Sequence, residues 1–362
     1  MSGTMSGTMS GATNQPATPA DDAYAAAGVD LDAADAAKRR MRDAARSTHG
    51  PQVLAGLGGF GGLFALDLAG LREPVLVSSI DGVGTKLKIA FALNRHQSVG
   101  SDLVAHCVND ILVCGARPLF FLDYLALGAM DAEQATAVVA GVAAGCRAAG
   151  CALVGGETAA MPGFYAPGEY DLAGCIIGLV ERDRLITGAA IHAGDAVIGL
   201  PSLGLHTNGY SLARRALASL DLAATVPELG RALGDELLQP HRSYLEAVTP
   251  LLDAGLVTGL AHITGGGLLD NPPRVVPEPL CVRLHAAAWQ IPPIFHLIQQ
   301  RGGVPWDEMC RVFNLGLGFL VFCREADAPA VLARTAAHGG RRVGQVETRP
   351  TDAPRVLVEG LP

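Results

Sequence analysis

Ser78-Ser79-Ile80-Asp81-Gly82-Val83-Gly84-Thr85-Lys86 closes an apolar run, Val75 to Val77, and opens a segment with helical character. An acid, two glycines, a hydroxyl and a lysine follow one another at the end of a strand, where glycine lets the backbone approach a ligand closely. This composition fits a grip on a phosphate or a metal, and the plain alternative is a tight turn. Lysine usage bears on the choice. Of 27 Lys plus Arg only Lys38, Lys86 and Lys88 are lysines, so two of three stand here. A compact ammonium differs physically from a planar guanidinium, and a site that needs a point charge keeps lysine against such a bias.

Upstream, Ala33 to Arg46 is rich in Ala, Arg and Lys and predicts a helix that stops before Pro51. Next comes Gly56-Leu57-Gly58-Gly59-Phe60-Gly61-Gly62, which satisfies G-x-G-x-x-G and has Asp81 some distance on, as a dinucleotide fingerprint would. The order of elements excludes that reading. The fingerprint must follow a strand and open a helix, whereas here a helix and a proline precede the glycines and the strand comes after them. A loop folding over phosphates and a plain surface loop both remain open.

Downstream, apolar residues from Val99 to Cys114 recur at helical spacing, and Asp102, His106, Asn109 and Asp110 share one helix face. That face is either a wet surface or a set of polar ligands facing the metal that the Asp81 loop sees. Leu119 to Leu127 predicts a strand, Asp131 to Ala149 a helix, and Ala152 to Val154 a short strand running into Gly155-Gly156-Glu157-Thr158. Asp81 and Glu157 therefore stand in similar local contexts, as in hard-cation sites assembled from separate strands. After a strand at Asp171 to Val180, the charged run Glu181 to Arg184 marks a boundary. The second half offers His206-Thr207-Asn208 ahead of a helix near Ser211, and Thr264-Gly265-Gly266-Gly267 as a further candidate phosphate cradle. Leu315 to Phe322, Arg341 to Val346 and Arg355 to Val358 predict strands, with a helix at Ala328 to Ala337 capped by Asp327.

Net charge is −8, and no block of Lys or Arg tracks a nucleic-acid backbone, so nucleic acid is not an expected partner. The longest apolar stretches, such as Leu172 to Val180, are too short to span a bilayer, so no membrane partner is expected. Eight cysteines without a Cys-x-x-Cys pair predict reduced core thiols, and residues 1–20 predict a disordered tail without an apolar signal region. Together these predict a cytoplasmic protein of mixed α/β class, with a first domain at residues 21–185 and a second at residues 186–362.

In this order the motifs resemble the phosphoribosylformylglycinamidine cyclo-ligase family, the aminoimidazole ribonucleotide synthetases of purine biosynthesis. The resemblance runs from Tyr24-Ala25-Ala26-Ala27-Gly28-Val29-Asp30 through Gly56 to Gly61, Asp81 to Lys86, Cys107-Val108-Asn109-Asp110, Gly155 to Thr158, His206 to Leu212 and Thr264 to Gly267. It implies a two-domain α/β fold with mixed sheets, shared with selenophosphate synthetase and thiamine-monophosphate kinase, whose N-terminal domain forms a homodimer. It further implies ATP-driven closure of formylglycinamidine ribonucleotide to the aminoimidazole ribonucleotide, through phosphorylation of the formamide oxygen. Asp81, Lys86 and His206 would be catalytic. Gly56, Gly58, Gly59, Gly61, Gly82, Thr85, Lys86, Asn109 and Asp110 would bind ATP together with Asp81. Mg²⁺ would lie on Asp81, Asp110 and Glu157. The substrate would meet His206, Thr207, Asn208, Thr264, Gly265, Gly266 and Gly267. The chain departs from the family at Ala160, where a glutamate is common, and at Arg42, where a lysine is usual. The lost acid keeps one alternative in view, a catalytically silent nucleotide-binding or regulatory protein on the same scaffold.

Overall fold

The computed structural model describes residues 31–55 and 59–362. The expected tail at residues 1–20, the Tyr24 to Asp30 motif, and Gly56 and Gly58 lie outside the described residues. In the first half α1 (Leu31–Arg46), β1 (Pro74–Gly82), α2 (Leu87–Leu93), α3 (Gln97–Leu112), β2 (Arg117–Leu127), α4 (Ala132–Ala149), β3 (Ala152–Ala160) and β4 (Tyr170–Glu181) follow in order. The strands form one sheet in the order β1-β4-β2-β3. Only β2 and β3 run parallel, joined by the α4 crossover, and the other pairs are antiparallel.

Local chemistry sets the ends of α4. The Asp131 carboxylate accepts the backbone N–H groups of Glu133 and Gln134, and Gly150 closes the helix at φ 67°. Alternation along β4 buries Leu172, Ile176 and Val180, and α3 lies against this strand. The two helices approach closely because glycine faces glycine. A Cβ on Gly100 would stand 2.4 Å from the Val138 carbonyl oxygen, and one on Gly141 2.1 Å from that of Gln97. The opposite face of the sheet is uncovered, with Leu76 57%, Ile80 73% and Tyr124 41% exposed.

The second half carries β5 (Ala196–Pro201), α5 (Tyr210–Ala216), α6 (Leu245–Asp253), β6 (Gly259–His262), β7 (Leu280–His285), α7 (Pro293–Gly302), β8 (Leu317–Cys323), α8 (Ala328–Thr335), β9 (Arg341–Thr348) and β10 (Val356–Glu359). Its sheet has the order β10-β7-β9-β5-β8-β6. Ile198, Leu200 and Val321 pack on Val248 and Leu251 of α6 and Val331 of α8. Val197, Leu320 and Phe322 belong to the core that contains Ile294, Phe295 and Ile298 of α7. Both sheets are therefore mixed, as the α/β reading expects.

Two local expectations change. β3 does not stop at Val154 but continues to Ala160, because β2 is long enough to pair with it as far as Leu127. Asp327 makes no capping bond, since it sits in a helical turn of its own at φ −90° and ψ −13° instead of the extended geometry a cap needs.

The glycine contact between α3 and α4 has a measurable weight. Gly141→Ala should destabilise the protein by about 1–3 kcal/mol through overpacking, read as a lower urea midpoint. Gly61→Ala, where a Cβ meets nothing within 4 Å, should leave the midpoint unchanged.

Candidate active site

The polar face of α3 is not a wet surface. Asp102, His106 and Asn109 are 0%, 4% and 0% exposed, because the segment from Gln239 to Tyr244 of the second half lies over them. Asn109 is spent on that seam: its Oδ1 accepts from the Tyr244 N–H at 2.9 Å and its Nδ2 donates to the Arg242 carbonyl at 2.8 Å. Both ends of the amide expected to reach ATP or the metal thus hold backbone of the second half.

Lys86 is likewise committed. Its ammonium pairs with Asp102 Oδ2 at 2.6 Å and donates to the Gln239 carbonyl at 2.7 Å, and both side chains are completely buried. Burial pushes the Asp102 carboxyl up, and the Lys86 charge and the His241 backbone N–H oppose it. Of the two roles open to Lys86, contact with a phosphate or bracing of the loop, these buried contacts are those of a brace. The positive charge that lysine usage singled out belongs to the seam between the halves.

Above this pair stand four imidazoles. His106 Nε2 meets Asp81 Oδ2 at 2.9 Å while His106 Nδ1 meets Thr207 Oγ1 at 2.8 Å. Thr207 Oγ1 lies 3.2 Å from His241 Nδ1, and His241 Nε2 lies 3.1 Å from His262 Nε2. His262 Nδ1 then meets Asp110 Oδ1 at 2.8 Å, whose Oδ2 accepts from Ser79 at 2.9 Å. His206 stacks on His241 with ring centroids 4.1 Å apart. Burial, then the neighbouring positive charges, hold His206 and His241 well below the usual imidazole range. Burial also lowers His106, but the Asp81 hydrogen bond and both carboxylates outweigh it and raise it.

Asp81 and Asp110 are the ionised members that solvent can reach, with side chains 41% and 28% exposed. Burial pushes each carboxyl up. The His106 hydrogen bond and the Gly82 N–H outweigh this at Asp81, and His262, His106 and Ser79 do so at Asp110, so both are held below the ordinary carboxylate value.

The remaining candidates divide. Thr85 Oγ1 lies 3.1 Å from Ser211 Oγ, which joins the Asp81 turn to the start of α5. Gly82 donates its N–H to the Asp81 carboxylate. Asn208 comes beside Gly265, whose added Cβ would stand 3.2 Å from Asn208 Oδ1, and Asn208 Nδ2 is buried without a hydrogen-bond partner among the described residues. Thr264 donates its N–H to Asn271, and Gly266 takes a positive φ of 109°. The Gly267 N–H is bonded to the Thr264 carbonyl and a Cβ there would meet the Cys310 carbonyl at 2.1 Å, so Gly267 serves packing and not an anion. Gly59 and Gly61 are exposed.

Two expectations fail on geometry. His206, expected to line the cleft, is 0% exposed at φ 61°, with Nε2 accepting from the Leu203 N–H at 3.2 Å. Glu157 does not join Asp81 and Asp110. It pairs with Tyr124 on the uncovered face of β3, whereas Asp81 pairs with Gly174 on the helix-covered face of β1. Those strands are the opposite edges of the sheet, three spacings or ~14 Å apart. Gly155, Gly156 and Thr158, but not Glu157, border a cavity of about 260 Å³ with Lys38, Arg42 and Asp123. Burial pushes the Asp123 carboxyl up to about 7, and a Cβ on Gly156 would stand 1.9 Å from its Oδ1.

His241 and His262, which carry the centre of the cluster, had no motif to announce them. His106 did have one, its spacing from Asp102 and Asp110 on α3.

Comparison with known proteins matches residues 67–180 to the AIR synthase related protein N-terminal domain and residues 192–356 to the corresponding C-terminal domain. The chain is 53% identical over 316 residues to a phosphoribosylformylglycinamidine cyclo-ligase of Desulfitobacterium hafniense, covering 87% of this chain and 93% of the relative. It is 54% identical over 334 residues to the cyclo-ligase of an Anaeromyxobacter species, covering 91% and 97%. Among solved structures, thiamine-monophosphate kinase from Stenotrophomonas maltophilia is similar with a TM-score of 0.65 at 20% identity, over 89% of this chain and 96% of that one. The hydrogenase maturation protein HypE in complex with ATP is similar with a TM-score of 0.58 at 22% identity, over 87% and 88%. These two share the fold.

Removing one partner of the buried pair should cost more than removing both. Lys86→Met should lower stability by about 3–5 kcal/mol by stranding Asp102. The double variant Lys86→Met/Asp102→Leu should recover part of that in urea unfolding.

Proposed function

The chain belongs to the phosphoribosylformylglycinamidine cyclo-ligase family, and we propose that Asp81 and Asp110, at the seam of its two halves, form the charged centre of its active site. The enzyme closes formylglycinamidine ribonucleotide to 5-aminoimidazole ribonucleotide with ATP, releasing ADP and phosphate in purine biosynthesis. The formamide oxygen takes the γ-phosphoryl group, and an amidine-side nitrogen closes the ring as phosphate leaves. Phosphoryl transfer is mainly positioning and charge neutralisation, so the site must hold the phosphates without supplying a nucleophile of its own.

The observation that carries this assignment is the pair of solvent-reachable carboxylates, both kept ionised by imidazoles beneath them. A divalent cation fits them, because two anionic oxygens open to the cleft are what a hard cation needs. Asp81 and Asp110 would hold Mg²⁺, which would neutralise charge on the ATP phosphates. Thr85 and Gly82 shape the turn beneath it, and Gly59 and Gly61 belong to the loop that would close over the nucleotide. Asn208, with its unpartnered buried amide, and Gly265 are the substrate-facing pair on the second half. His206 and Thr207 position that loop from behind, and Lys86 holds the two halves in register.

The working unit is a homodimer of cytoplasmic protein, with residues 21–185 as the dimerising domain and residues 186–362 as its partner within the chain. Leu76, Ile80 and Tyr124 make the bare sheet face apolar, which suits burial against a second copy. No helix among the described residues is long and apolar enough to cross a membrane.

Asp81→Asn removes a charge at nearly constant size. It should lower formation of the aminoimidazole product on the order of 100-fold or more while the circular-dichroism spectrum is unchanged, and near-normal turnover would take Asp81 out of the site. Ile80→Asp should shift the protein from dimer to monomer in sedimentation velocity, and an unaltered sedimentation coefficient would place the contact elsewhere.

A further inference from the structure

The two loops that carry Asn208 and Gly265 rest on one buried segment. Phe313, Asn314 and Leu315, between the helix Trp306–Val312 and β8, are 1%, 3% and 0% exposed. Asn314 grips the start of the first loop, residues 202–208, with both ends of its amide. Its Oδ1 accepts from Ser202 Oγ at 2.8 Å and from the Gly316 N–H at 2.9 Å, and its Nδ2 donates to the Gly204 carbonyl at 3.1 Å. The Ser202 N–H adds a bond to the Gly316 carbonyl at 3.0 Å. At the far end of the same loop the Phe313 ring forms the floor, since a Cβ on Gly209 would stand 2.2 Å from Phe313 Cε1. The Phe313 carbonyl oxygen backs the second loop, 2.7 Å from where a Cβ on Gly267 would stand. Asn208 and Gly265, which lie side by side, are thus placed by neighbouring residues of one segment.

That segment is held in a conformation that a leucine rarely adopts. Leu315 stands at φ 48°, in the left-handed region, and is followed by Gly316 at φ 96°. Trp289 Nε1 donates to the Leu315 carbonyl at 2.9 Å, and the Leu317 N–H donates to the Asn314 carbonyl at 2.9 Å. On the loop that Asn314 grips, His206 also has a positive φ, of 61°. Strained residues of this kind persist where their surroundings over-determine them, and they gather at functional sites. The grip also depends on an amide, which offers a donor and an acceptor in one plane; Asn314→Asp would set an oxygen against the Gly204 carbonyl.

We propose that Asn314 is a positioning residue for the ring-closing reaction and that it acts through Asn208. By fixing the loop of residues 202–208 it sets where the Asn208 amide meets the ribonucleotide. Asn314 is itself buried and acts at one remove. The proposal rests on the reading of Asn208 as substrate-facing.

A double-mutant cycle on turnover separates this role from a contribution to folding alone. Asn314→Asp should lower kcat/KM for formylglycinamidine ribonucleotide about 10- to 100-fold, with the KM for ATP and the circular-dichroism spectrum unchanged. Asn208→Ala should lower it as well. In Asn208→Ala/Asn314→Asp the two losses should not multiply, because placing the loop matters little once the group it presents is gone. Losses that multiply in full, or a normal kcat/KM in Asn314→Asp, would overturn the proposal and leave Asn314 a residue of the fold, since a smaller folded fraction scales turnover equally in both backgrounds. Normal turnover in Asn208→Ala would overturn the reading of Asn208 and the proposal with it. Where Asn314→Asp does not fold, Ser202→Ala, which removes one bond to the same amide, takes its place in the cycle with the same deciding outcomes.

Discussion

Burial of the polar face of α3 is the constraint from which the rest of the site follows. A helix that carries Asp102, His106, Asn109 and Asp110 on one side can be covered only by a surface that satisfies each of them. The second half does so with backbone as much as with side chains: the His241 and Tyr244 N–H groups and the Arg242 carbonyl are the partners. Lys86 neutralises the one carboxylate that never sees water. A pair of this kind contributes little net stability, because desolvation offsets its attraction, but it tolerates no loss of one partner. It therefore fixes how the two halves meet.

That fixed seam sets the electrostatics of the cleft. His106 and His262 lie under the two exposed carboxylates and hold them ionised, while His206 and His241 stay neutral deeper in. Charge is thus graded from a neutral imidazole floor to an anionic rim. A rim of that kind attracts cations and repels bare phosphates, which suits a nucleotide that arrives with its metal. His106 and His262 bond these carboxylates directly, with Thr207 and His241 behind them.

Much of the fold was legible in the chain. The helical spacing of Val99, Leu103, Cys107 and Ile111 gave α3, and the apolar run after Asp171 gave β4. The Asp81 turn was correctly placed at a strand end, and the glycine-rich stretch falls, as expected, after the helix α1 and before the strand β1. The failures share a cause. Glu157 resembled Asp81 locally, yet sheet order put the two on opposite edges and opposite faces, which no local pattern encodes. Whether Lys86 meets a phosphate or braces the loop was not legible locally, because its burial depends on Asp102, which lies a helix away, and on Gln239 in the other half. His241 and His262 carried no motif, since their meeting with His106 is a product of domain packing alone.

Crystals of the protein grown with Mn²⁺ and a non-hydrolysable ATP analogue, measured at a wavelength where manganese scatters anomalously, test the location of the catalytic centre most directly. The account predicts an anomalous peak at ~2.2 Å from both an Asp81 and an Asp110 oxygen, at the seam beside α3. A peak instead at Asp123 or at Glu157, with none between Asp81 and Asp110, would contradict it.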